Sequence, residues 1–173
     1  MEVLRAIETR RAIRAFEPRP IEPEHLERIL NAGRRSGSSK NLQRWDFIVV
    51  RSRERLAELA GVGRKAGHLA GAAAGIALVT PDPTAADAPL SVMFDLGQAA
   101  GNMMLVAWDL GIGSVPATVY DHDLARRVLG YPGEHRCEYI LSFGYPADPS
   151  DLSRANRPGG RRPLAEMVHA ERW

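Results

Sequence analysis

The chain of 173 residues holds one cysteine, Cys137, so an intrachain disulfide is excluded, and with it an extracellular framework held by cystines. The length fits one domain spanning residues 1–173, able to bury its own core, and the formal net charge of +2 is modest. Every basic residue except Lys40 and Lys65 is arginine, a bias that suits phosphate recognition and suits codon composition equally well.

The Val3, Leu4, Ile7 spacing predicts a short first helix that ends near the basic run Arg10 to Arg14. Charged side chains interrupt residues 1–20, so no signal peptide is expected and the protein is read as cytoplasmic. A second helix is predicted over 22–32, opening on Glu22-Pro23-Glu24, placing Leu26, Ile29 and Leu30 on one side and stopping at Gly33. Trp45 to Val50 is aromatic and β-branched and reads as a strand, Arg53 to Ala60 as a helix, and residues 76–80 as a strand stopped by Pro81. Leu90 to Leu110 is the longest helix, ended by Gly111. A strand follows near Ser114 to Val119, then a helix from Asp123 to Leu129, a strand at Glu138 to Phe143 and a helical turn around Leu164 to His169. The alternation indicates one layered α+β or α/β domain without repeats.

The long helix is apolar on most sides, yet Asp95, Gln98, Asn102 and Asp109 between Leu90 and Ile112 would be costly in hydrocarbon, so a membrane span is not expected. Gly97, Ala100 and Gly101 allow another backbone to come close. Such a helix is covered either by its own domain or by a second subunit, and the pattern alone favours neither.

Arg10-Arg11-Ala12-Ile13-Arg14-Ala15-Phe16 crowds three guanidinium groups, which are either solvated at a helix end or gathered on an anion. Arg157, Arg161 and Arg162, beside Gly159 and Gly160, form a second such cluster. The polar stretch Ser36 to Trp45 offers amides to a ligand but would serve equally as a turn. Gly61-Val62-Gly63-Arg64-Lys65-Ala66-Gly67 has the wrong spacing for a dinucleotide loop and no strand before it. Asp121-His122-Asp123 reads as a helix cap, the histidines and Cys137 show no metal-ligand spacing, and no Gly-x-Ser-x-Gly elbow occurs. A nucleic-acid-binding module would account for the arginines, but the aromatic residues are not interleaved with them.

Taken in order along the whole chain, these segments resemble the nitroreductase family of flavoproteins. RRAIRAF is similar to the family's Arg-x-Ser-x-Arg/Lys-x-Phe element, which implies that Arg10 and Arg14, with Arg11 beside them, hold an FMN phosphate; Ala12 departs from the usual serine. SGSSKNLQRWDFIVV resembles Ala/Ser-Pro-Ser-x-x-Asn-x-Gln-Pro-Trp-x-Phe and implies that Ser38, Ser39, Asn41 and Gln43 lie near the cofactor, with Gly37 and Arg44 replacing two prolines. Gly111 to Ala117 resembles Gly-Leu-Gly-x-x-Pro, whose backbone passes flavin N5, a role carried over to Pro116, Ala117 and Thr118. LSFGYP at 141–146 resembles the following strand and turn. Arg161-Arg162-Pro163-Leu164 resembles the basic element that returns to the phosphate.

The resemblance implies an α+β fold, an α/β/α sandwich around a mainly antiparallel sheet, working as a homodimer with two FMN sites between subunits. It implies an enzyme passing electrons from NAD(P)H through FMN to a small organic acceptor such as a nitroaromatic or quinone, in a ping-pong cycle. The hydride chemistry belongs to the flavin, so no catalytic side chain is expected, although a backbone amide near Ala117 could bond N5. The alternative within the fold is a flavin oxidase or dehydrogenase that desaturates a metabolite without nicotinamide.

Overall fold

A computed structural model describes residues 2–154 and 160–173. Five helices are present among these residues: α1 (Val3–Thr9), α2 (Pro23–Arg34), α3 (Arg53–Leu59), α4 (Ser91–Asp109) and α5 (His122–Leu129). Four strands, β1 (Asp46–Val50), β2 (Ala74–Pro81), β3 (Gly113–Thr118) and β4 (His135–Gly144), form one antiparallel sheet in the order β1-β2-β4-β3. Single 3-10 turns at Ser39–Asn41, Gly67–Gly71, Pro149–Leu152 and Leu164–Glu166 complete the elements.

Local chemistry explains the ends. Pro23 occupies the first turn of α2, where its missing N–H is not needed. Ser52 caps α3 by accepting the Arg55 N–H at 3.3 Å, and Asp121 caps α5 by accepting the Leu124 N–H at 2.8 Å, which settles Asp121-His122-Asp123 as a cap. Gly111, at φ 74°, stops α4 in a left-handed conformation that a side chain would resist.

Alternation along the two central strands divides the core. Ile76 and Leu78 of β2, with Leu141 and Phe143 of β4, pack against Leu26 and Ile29 of α2 and Leu96, Met103 and Ala107 of α4. On the other face Ala77, Val79 and Ile140 meet Leu56 and Leu59 of α3, Leu69, and Ala125 of α5. Helices therefore cover both faces of the sheet, giving the α/β/α arrangement. No helix among the described residues is long and apolar enough to cross a membrane.

Two apolar faces stay open. Among the described residues nothing covers one side of the long helix: Leu90, just before α4, is 96% and Phe94 71% exposed, and a Cβ placed at Gly97 or Gly101 would meet nothing within 4 Å. Likewise the apolar side chains of α1 point outward, with Val3, Leu4 and Ile7 exposed and only Ala6 buried.

Candidate functional site

The basic segment after α1 is an extended strap held against the free edge of β3. Ile13 donates its N–H to the Ser114 carbonyl at 3.1 Å, Ala12 bridges Ser114 in parallel, and Phe16 bridges Pro146. Two glycines admit it. A Cβ at Gly113 would lie 2.6 Å from Ile13 Cβ, and one at Gly144 would lie 2.8 Å from the Phe16 ring, so only glycine lets the strap come this close.

The strap carries its arginines to different places. Arg10 leans on α4, its guanidinium 4.0 Å from Met104 Sδ, and its pKa is lowered by burial and then by the positive charge of Arg161. Arg161 of the second cluster thus lies near enough for its charge to act on Arg10, a repulsion that an anion would relieve. Arg11 turns aside and donates to the Arg154 carbonyl. Arg162 is exposed on the same C-terminal segment, and Arg157 lies outside the described residues. Four residues beyond Arg10, about 13 Å away along an extended chain, Arg14 enters a cleft of about 310 Å³. Its other walls are Arg64, Lys65, His68, Pro116, Ala117, Thr118 and Tyr120.

Arg64 and Lys65 come from the Gly61–Gly67 segment that its spacing excluded as a dinucleotide loop. Its role is to fasten two cations to the end of β3. Val62 accepts the Tyr120 and Asp121 N–H groups at 2.8 and 3.0 Å, and a Cβ at Gly63 would come within 2.5 Å of the Thr118 carbonyl. Sequence reasoning missed these two residues and His68. The signal available was a lysine, rare in this chain, between closely spaced glycines. His68 faces the cleft while its Nδ1 lies 2.9 Å from the buried Ser142 hydroxyl, and burial, then Arg14, lowers its pKa. The ring is therefore biased to its neutral form.

The other predicted loop lies elsewhere in the chain. Residues 38–43 precede β1, at the sheet edge opposite β3, three inter-strand spacings or about 14 Å across. There Ser39 donates its N–H to the buried Asp95 carboxylate at 2.9 Å, and Asn102 donates to Ser36 Oγ at 2.7 Å. These two polar residues of α4, costly in a membrane, thus organise a loop. Ser38 Oγ accepts the Gln43 N–H at 3.0 Å, and the Gln43 amide donates to Asn41 Oδ1 at 3.1 Å. Lys40, Asn41 and Gln43 all hold positive φ, of 53°, 55° and 48°. Only asparagine among these tolerates that region well, so the loop keeps a strained shape with its polar groups exposed.

One chain therefore presents two separate arrangements. Arg10, Arg14, Pro116, Ala117, Thr118 and Arg161 gather along the strap and β3, whereas Ser38, Ser39, Asn41 and Gln43 stand at the far edge.

Comparison with known proteins covers the same segments. The chain matches the Nitroreductase family over residues 7–65 and 60–145. A protein of Archaeoglobus fulgidus, provisionally named NADH dehydrogenase/NAD(P)H nitroreductase, is 36% identical over 177 residues, 99% of this chain and 99% of the relative. A relative from Methanothermobacter thermautotrophicus with the same provisional name is 32% identical over 179 residues, 100% of this chain and 88% of its own. Among solved structures, an FMN-dependent nitroreductase from Clostridium difficile superposes with a TM-score of 0.84 at 26% identity, over 97% of this chain and 98% of that one. Since the match takes in the arginine strap, the 38–43 loop and the β3 turn within this same sandwich, the chain belongs to the nitroreductase family.

Proposed function

We propose that this protein is an FMN-dependent oxidoreductase that takes electrons from NAD(P)H and passes them to a small organic acceptor in a ping-pong cycle. One observation carries the reading: the strap separates Arg10, which rests on α4 within reach of the charge of Arg161, from Arg14, which lines a cationic cleft. Such spacing suits a ligand with a phosphate at one end and a polar ring at the other. Arg10 and Arg161, with Arg162 on the same segment, would hold the phosphate, while Arg11, turned to the Arg154 carbonyl, would stand behind them. Arg14, Arg64 and Lys65 would face the ring, whose pyrimidine carbonyls are acceptors, with the backbone of Pro116, Ala117 and Thr118 alongside. This assignment moves Arg14 from the phosphate, where the sequence resemblance put it, to the ring.

The flavin supplies the hydride chemistry; the protein binds it, places two substrates over it in turn and limits water. Cations beside the ring favour negative charge on it, so Arg14, Arg64 and Lys65 would make the bound flavin easier to reduce. The names of the archaeal and clostridial relatives support the nicotinamide donor and FMN respectively.

The unit is a homodimer of one-domain chains. Residues 38–43 of one copy complete the cleft of the other, which gives Ser38, Ser39, Asn41 and Gln43 access to a flavin they could not reach across their own sheet. The uncovered stripe of Leu90, just before α4, and Phe94, Gly97 and Gly101 on it supplies apolar surface for that contact, as does the outward face of α1.

The purified protein is expected to be yellow or to quench FMN fluorescence on titration, and to oxidise NADH or NADPH when an acceptor is supplied. Failure to bind FMN refutes the reading. Binding with oxidation of a metabolite but no nicotinamide turnover would instead indicate the oxidase or dehydrogenase alternative.

A further inference from the structure

The cleft contains a hydrogen-bond relay that begins inside the sheet. Ser142 on β4 is fully buried, and its hydroxyl donates to the Val115 carbonyl at 3.2 Å. A carbonyl only accepts, so a bond to it takes the single hydroxyl proton. The 2.9 Å contact between Ser142 Oγ and His68 Nδ1 is then completed by an Nδ1–H donor. A neutral imidazole protonated on Nδ1 carries its lone pair on Nε2, at the other side of the ring, where His68 lines the cleft.

The charge pattern around that lone pair is distinctive. Arg14, Arg64 and Lys65 can only donate, and the hydroxyls of Thr118 and Tyr120 can turn either way. Among the cleft's described side chains, His68 Nε2 is the obligate acceptor. Such a wall presents donor, acceptor and donor functions together. Its complement is a cyclic imide, whose edge runs carbonyl, N–H, carbonyl.

We propose that His68, locked in one tautomer by Ser142 and Val115, is the ligand-contacting residue that accepts the imide N–H of the flavin and selects for it. The inference rests on the flavin reading above. Burial and the guanidinium of Arg14 both disfavour the imidazolium, which keeps the acceptor available. Ser142 is a positioning residue that acts through His68.

The test compares FMN with FMN methylated at the imide nitrogen, by fluorescence quenching on the full-length apoprotein. The unmodified protein should prefer FMN by at least about tenfold, since a site built around a hydrogen bond rejects an analogue lacking it. In His68→Ala that preference should shrink to within about twofold, while His68→Gln, which retains an acceptor oxygen, should restore part of it. Nitrogen NMR of His68 in the unmodified apoprotein gives a second readout: a protonated Nδ1 and bare Nε2 are expected, and Ser142→Ala should mix the tautomers. An unchanged preference in His68→Ala overturns the proposal, as does an Nε2–H tautomer. Should neither form of FMN bind the unmodified protein, it is the functional reading that fails, and the inference with it.

Discussion

Gly113→Ala tests the coupling between the sheet edge and the flavin site. The added Cβ would stand 2.6 Å from both Ile13 Cβ and Cγ1, and the first of these cannot swing away as the end of a flexible side chain could. Ordinary carbon contacts begin near about 3.5 Å, so the strap must retreat by roughly 1 Å. That displacement would stretch the 3.1 Å bond from Ile13 N–H to Ser114 O beyond useful range. Overpacking costs about 1–3 kcal/mol and the lost bond about 0.5–1.5 kcal/mol, so a loss of roughly 2–4 kcal/mol in unfolding free energy is expected from denaturant titration. Because Arg10 and Arg14 ride on the same strap, FMN affinity should fall by at least about tenfold in protein that is still folded, the equivalent of one charge-assisted bond. Gly133→Ala, where a Cβ meets nothing within 4 Å, is the control and should leave both quantities almost unchanged. Wild-type stability and FMN affinity in Gly113→Ala would refute the idea that the strap is seated by this close approach.

Three further outcomes are expected. Arg10→Ala should weaken FMN by at least about tenfold and leave riboflavin nearly untouched, whereas Arg14→Ala should weaken both; fluorescence titration with the two ligands separates phosphate from ring. Cys137 should resist thiol reagents until the protein unfolds, because burial pushes its pKa up to about 12. Glu22, bonded by the Tyr145 hydroxyl and by Arg19 at 2.7 Å, has its pKa lowered to about 2 from 4.5, the Tyr145 bond being the largest cause. A depressed carboxylate stabilises the fold above the unfolded pKa and stops doing so as pH falls through the folded one, so this contribution should vanish between about pH 4.5 and 2, and Glu22→Gln should flatten that part of the acid stability curve.

Most elements were readable from the sequence because their signals are local. The apolar run in β2 and the capping residues Pro23, Asp121 and Gly111 act within a few residues of themselves. The site was readable only in part. Collinear motifs pointed to Arg10, Arg14 and Pro116 to Thr118, yet nothing local says that Arg10 goes to α4 and Arg14 to the cleft. That division follows from the strap being extended between its Ser114 and Pro146 bridges. Arg64 and Lys65 were hidden for a similar reason. Gly63 matters through the Thr118 carbonyl, 55 positions on, and glycine spacing reports close approach without naming what approaches. The left-handed backbone at Lys40 and Gln43 also runs against residue preference, and it is imposed by contacts with Ser38 and Asp95. Periodicity cannot tell a core from an interface, so the pattern of α4 favours neither, and only the structure shows that its apolar face and that of α1 turn outward.

The central claim is that each flavin site is built from two chains, one giving the strap and the β3 edge, the other the 38–43 loop. Subunit complementation tests it most directly. Arg14→Ala damages the first half and Asn41→Ala the second, so each variant alone should bind FMN weakly. Unfolded together, mixed in equal amounts and refolded, they should form mixed dimers holding one intact and one doubly damaged site. Random pairing then restores tight binding to about one quarter of all sites, read as a high-affinity phase in the titration. A mixture that titrates as the plain average of the two variants, with no tight phase, would contradict the shared site.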